Sequence, residues 1–209
     1  MSDRFDPYEY IGVIVPGSVA IFGTIYLYPD VKAMFGGNDF NVGGLGLFLI
    51  ASLVVGHLIQ GIGNLMEMAW WRAHGGMPSD WLLKNNQKLV SETQKQRLLD
   101  LCSQHMKIDC GALTTRQWYP AVREMYSVLE SAGRAKRVDA FNRTYGLLRG
   151  ISAGCLVFAA LAAATAPERH ELWIGGLVVA IIAFYRMQRF GKRYAREIFV
   201  AYLGMNNGK

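Results

Sequence analysis

The sequence predicts an all-α membrane protein. Four transmembrane helices are expected, with a small cytoplasmic helical subdomain between the second and third and a basic amphipathic helix at the C-terminal end. Three observations carry this reading. First, the chain of 209 residues is 52% hydrophobic and only 18% charged, against about 25% charged in a typical soluble domain. Second, the missing charge is concentrated in four uncharged runs. Third, the Lys and Arg residues cluster on one side of those runs. The same composition excludes disorder for most of the chain, and three Cys with six Pro exclude disulfide-scaffold and collagen-like classes.

The first two uncharged runs, residues 10–29 and 40–66, hold 20 and 27 residues. The third, 150–167, holds 18 and the fourth, 172–185, holds 14. A bilayer core of about 30 Å takes roughly 20 helical residues, so the first three suffice. Fourteen residues rise only about 21 Å. The fourth run spans if Arg186 and Arg189 snorkel to one interface while Trp173 marks the other, or if the bilayer thins locally; a re-entrant hairpin of runs three and four is the alternative. Spans are expected at about 10–29, 43–66, 147–166 and 172–188. They define an N-terminal hairpin (1–71), a subdomain (72–142), a second hairpin (143–188) and a basic tail (189–209). The segment before the first run is acidic and no small-residue cleavage site follows, so that run reads as a retained helix rather than a signal peptide.

Residues 68–149 carry 13 Lys and Arg, and the tail from Arg186 carries six, whereas the two short loops hold only Lys32 and Arg169. By the positive-inside rule, both termini and the central segment face the cytoplasm of an inner membrane. The formal charge of +6 then reports topology and does not require nucleic acid.

Within 72–142, Gly75, Gly76 and Pro78 mark a loop, after which Ser79 or Asp80 caps a short helix reaching Leu89. Ser91 and Gln94 form a capping box opening a helix with Leu98, Leu99, Leu101 and Cys102 apolar. A turn with Gly111 follows. The next helix, 118–131, aligns Trp118, Val122, Met125, Tyr126 and Leu129 on one face, with Pro120 tolerated in its first turn. Ala132 and Gly133 break it. A basic helix from Arg134 then runs into the third span, and the tail alternates basic residues with Phe190, Tyr194, Ile198, Phe199 and Tyr202, lying along lipid or packing on the subdomain. Arg134, Lys136, Arg137, Arg143, Arg149, Arg189, Lys192 and Arg193 are candidate contacts for anionic headgroups, at about 1 kcal/mol each near the surface, or for a cytosolic protein partner.

The second span holds the most informative pattern. His57, Gln60, Asn64 and Glu67 are spaced 3, 4, 3 and share one helix face. Gly56 and Gly63 border that face. Polar groups at this depth face protein or water, so the stripe either packs against neighbouring helices or lines an ion path or substrate site. Gly146, Gly150 and Gly154 form a small-xxx-small series for close helix contact, within the chain or between copies. So small a membrane protein has little interior of its own, and a homo-oligomer is expected. Cys102, His105 and Cys110 supply three zinc-type ligands without a fourth and read as packing residues, so no metal or cofactor is expected. No phosphate-binding loop, nucleophile elbow or zinc-protease motif occurs. His74 with Asp80, and Arg97 with His105, miss enzyme spacings, so no catalytic residue is expected. Arg116, Trp118 and Tyr119 could stack on single-stranded nucleic acid or pack within the subdomain.

On the stripe His57–Gln60–Asn64–Glu67, the series Gly146–Gly150–Gly154 and the basic stretch 134–149, the chain resembles the small multi-pass transmembrane effectors of bacterial anti-phage defence systems. The resemblance implies a homo-oligomeric, pore-forming or depolarising effector controlled through its cytoplasmic part. From the stripe itself, His57, Gln60 and Asn64 are expected on the lumen face of such a pore. The alternative is a membrane anchor or sensor recruiting a cytosolic protein or nucleic acid through residues 72–145. A transporter or lipid-modifying enzyme would need an inverted repeat or catalytic pair that the sequence lacks.

Overall fold

A computed structural model describes residues 7–35, 42–84 and 88–205. The expectations for residues 1–6, for part of the loop before the second span, for 85–87 and for the last four tail residues lie outside them. Seven α-helices follow in order: α1 (Pro7–Leu27), α2 (Pro29–Met34), α3 (Val42–Ala73), α4 (Glu92–Met106), α5 (Thr115–Ser131), α6 (Lys136–Thr165) and α7 (His170–Met205). No strand occurs among the described residues. Helices α1, α3, α6 and α7 are long and apolar enough to cross a membrane, with best-window mean hydropathies of 1.8, 2.2, 1.9 and 1.3. The lowest belongs to the fourth, whose apolar run is the shortest, but α7 itself has 36 residues.

The chain divides into two compact units, residues 1–68 with 143–187, and residues 69–142 with 188–209. In the first, α1 and α3 come into backbone contact. A Cβ on Gly17 would collide with the Ser52 carbonyl, and one on Gly56 with the Val13 carbonyl. Ala20, Ile59 and Ala153 form a buried cluster of small and medium side chains. Ile21, Phe35 and Phe48 form another, with Phe48 4.6 Å from Phe22 and 6.0 Å from Phe35 between ring centroids. Ser152, fully buried, donates to the Ala180 carbonyl at 2.9 Å and ties α6 to α7. The outward surface is apolar, with Ile50, Val54, Leu58, Leu65, Ile181 and Ile182 exposed, as a lipid-facing surface requires.

The second unit has a separate core built from Leu82, Leu98, Cys102, Trp118, Met125, Leu129, Val138 and Phe199, among others. The Ser91 box is formed: Ser91 Oγ accepts from Gln94 N at 3.2 Å and Gln94 Oε1 accepts from Ser91 N at 3.0 Å. Helix α5 starts earlier than the apolar pattern suggests, because Thr114 and Gln117 make a second capping box. Its buried face is Trp118, Ala121, Val122, Met125 and Leu129. The short helix expected up to Leu89 is instead a 3-10 turn, Pro78–Leu83. The Asp80 carboxylate accepts from Met77 N at 3.0 Å at its start, and the backbone turns extended at Lys84, which ends it. On α7 the face Ala195, Ile198, Phe199, Tyr202 and Leu203 is buried in this core, so of the two placements considered for the tail, that face packs on the unit.

Candidate functional site

The site grows from a proline. Pro16 lies inside α1 and has no N–H, so the carbonyl four residues earlier, on Gly12, loses its helical donor. In an apolar span, with no water to replace it, an unsatisfied carbonyl is costly. The Gln60 side chain of α3 supplies the missing donor: its Nε2 donates to Gly12 O at 2.7 Å and lies 3.4 Å from Gly146 O on α6. Its Oε1 accepts from Arg149 Nη2 at 3.2 Å, and Arg149 Nη1 pairs with Glu67. The Arg149 and Glu67 side chains retain 22% and 13% of their exposure, which makes this an ion pair largely withdrawn from solvent. Gly150 and Gly154 receive Pro16 of α1, and Gly63 admits the Arg149 stem beside Ala153. One polar node therefore joins α1, α3 and α6.

No protein-family model matches the chain, and searches of curated proteins and solved structures give no match.

The stripe expected on α3 is divided. At about 100° per residue, His57 and Asn64 lie within about 20° of each other, as do Gln60 and Glu67, and the two pairs are centred roughly 60° apart. That angle separates them: Gln60 and Glu67 turn into the node, while His57 and Asn64 are exposed and make no hydrogen bond among the described residues. Of the three residues expected together on a lumen face, Gln60 is held by Gly12, Gly146 and Arg149 within the chain, apart from His57 and Asn64. Gly56 and Gly63 lie at close contacts, as do Gly150 and Gly154, all within the chain. Gly146 departs from its series, since a Cβ there would meet nothing within 4 Å.

The basic residues also divide. Arg149, expected at the lipid surface or a partner, is turned inward instead because Glu67 offers it a counter-charge. Arg134 Nη1 donates to Gly204 O at 3.3 Å, and Arg137 Nε lies 3.3 Å from Glu197 Oε1. Lys192 sits over the Trp81 ring at 5.4 Å and Arg193 over Phe190 at 5.5 Å. Lys136, Arg143 and Arg189 are exposed.

Trp118 is fully buried and donates through Nε1 to Ser79 O at 3.0 Å, so it cannot stack on a base. Tyr119 remains 60% exposed. Cys102 and Cys110 are fully buried, and burial with the neighbouring Cys110 pushes the Cys102 thiol pKa up. His105 turns toward Glu124, 3.7 Å away. No group of three or more potential metal ligands converges among the described residues. From the sequence, Pro16, Gly17 and Ser18 read as a kink in the first span rather than a site, and Gly12 carries no signal of its own. The signal for them was a proline in mid-span, which demands a side-chain donor from a neighbouring helix.

Proposed function

We propose that the chain is a homo-oligomeric protein of the inner membrane that forms a pore or perturbs the bilayer, with both termini and residues 72–142 cytoplasmic. The observation that carries this reading is the exposed pair His57 and Asn64 on one face of α3, which make no hydrogen bond among the described residues. Polar side chains at this depth gain by facing protein or water. Copies meeting over this face would let His57 and Asn64 bond to each other or to a water file, at about 0.6–1.7 kcal/mol per interhelical hydrogen bond. Gly61, where a Cβ would meet nothing within 4 Å, lies on the same face and permits close approach. The resemblance to membrane effectors of anti-phage defence points the same way and makes the cytoplasmic part the place where a signal is received.

The test is the mass of the detergent-solubilised particle together with ion release from liposomes. The wild type is expected to be multimeric and to release ions. His57→Leu with Asn64→Leu is expected to lower both, whereas a monomeric wild type that leaks nothing overturns the proposal. A second reading, a membrane anchor recruiting a cytosolic protein, draws on the separate core of the second unit and on its exposed Lys136 and Arg189. It predicts a pull-down partner lost on charge reversal at those two residues.

A further inference from the structure

An apolar groove of about 780 Å³ opens along one side of the first unit, between α1, α6 and α7. Its floor includes Phe158 and Cys155, and its flanks include Val15, Phe22 and Tyr26 of α1 with Leu172, Gly175 and Val179 of α7. From Val15 to Tyr26 the α1 wall rises roughly 17 Å at 1.5 Å per residue, about half of a hydrocarbon core of about 30 Å. The groove is as deep as one leaflet. Its Tyr26 end is interfacial in character: Arg169 Nη2 donates to Tyr26 Oη at 2.6 Å and Trp173 Nε1 donates to Pro167 O at 3.3 Å. Both charge signs meet there. Arg169 Nε lies 3.4 Å from Glu171 Oε1, Glu168 is exposed one residue before Arg169, and a guanidinium has five N–H donors, more than these contacts use.

From this geometry we infer that the groove binds one phospholipid with a zwitterionic, primary-ammonium headgroup. An acyl chain lies along the apolar walls, the phosphate accepts from Arg169, and the ammonium donates to Glu168 and Glu171. An anionic lipid without the ammonium would meet two carboxylates beside a single cation, and a choline headgroup has no N–H to donate.

The full-length protein, delipidated in detergent, is titrated by native mass spectrometry with phosphatidylethanolamine, phosphatidylglycerol and phosphatidylcholine of identical chains. The ethanolamine lipid is expected to bind about tenfold more tightly than either other lipid, equivalent to about 1.4 kcal/mol. Gly175→Leu projects a side chain into the groove from a position where a Cβ would meet nothing within 4 Å, and should reduce occupancy by all three. Glu168→Gln with Glu171→Gln removes both carboxylate charges at nearly constant side-chain volume and should abolish the preference for ethanolamine. Equal binding of the three lipids by the wild type overturns the inference. So does unchanged occupancy in Gly175→Leu, or a change of particle mass in that variant without loss of lipid, which would mark the groove as a contact between copies.

Discussion

If Gln60 replaces the backbone donor that Pro16 removes, its contribution must depend on that proline. In the wild type, Gln60→Leu strips the donor from Gly12 O and the acceptor from Arg149 Nη2. A buried polar group left unsatisfied costs about 1–3 kcal/mol, and hydrogen bonds measured between membrane helices average about 0.6 and reach about 1.7. A total loss of about 2 kcal/mol is expected. With Pro16→Ala, the new Ala N–H can donate to Gly12 O within α1, and Gln60→Leu should then cost about 1 kcal/mol less, as Gly12 O is no longer left unsatisfied while the Gly146 and Arg149 contacts are lost in either background. Pro16→Ala also removes ring packing against Gly150, but that appears in both arms of the cycle and cancels. Gln60→Glu sharpens the comparison, since a carboxylate still accepts from Arg149 but cannot donate to Gly12. Reversible unfolding in bicelles, measured for the wild type, both single variants and the double variant, gives the coupling. A value below about 0.5 kcal/mol, the usual scatter of independent sites, would refute the compensation.

Three further outcomes follow from the same geometry. Glu67→Ala leaves the Arg149 charge without its counter-ion and should cost about 3–5 kcal/mol, much of it recovered when Arg149→Leu is added; unfolding midpoints of the three variants test this. Gly17→Ala and Gly56→Ala drive a methyl into a facing carbonyl and should each cost upward of about 1 kcal/mol, whereas Gly146→Ala, in open space, should be neutral or slightly stabilising by helix propensity, as thermal unfolding of the three would report. Tyr126 donates to Asp139 Oδ1 at 2.7 Å, and burial together with this bond raises its pKa. Its share of stability is therefore complete below about pH 10, the unfolded value, and is lost as pH rises toward the folded value. The buried Cys102 thiol, also raised, acts the same way from about pH 8.5. Tyr126→Phe should cost about 1 kcal/mol at neutral pH and flatten the alkaline decline above pH 10, read from the unfolding midpoint against pH.

What could be read from the sequence and what could not divide along a physical line. Uncharged length and capping boxes are local quantities, and they place the four long helices, the start of α4 and the buried face of α5. The Thr114–Gln117 box is equally local and carries the same Ser/Thr-x-x-Gln signature as Ser91–Gln94, so the start of α5 was legible too. The polar stripe is different. Its spacing states that four residues lie within one arc, but the edge of that arc that meets protein depends on partners far along the chain: Gln60 reaches Gly12 48 residues away and Arg149 89 away. No window of sequence contains those pairs.

The division of the stripe also separates two roles that a single face would have merged. Gln60, Glu67 and Arg149 are held by contacts inside one chain, and a residue so held cannot also serve a passing ion without breaking an ion pair worth about 3–5 kcal/mol when one partner is lost. His57 and Asn64, roughly 60° around the same helix, have no such engagement among the described residues. The node fixes the rotation of α3 against α1 and α6, and that rotation leaves His57 and Asn64 facing outward. If a path or an interface exists on α3, the node orients it while the exposed pair forms it. Disrupting the node should disorder the exposed pair, whereas replacing the exposed pair should leave the stability of a single chain unchanged.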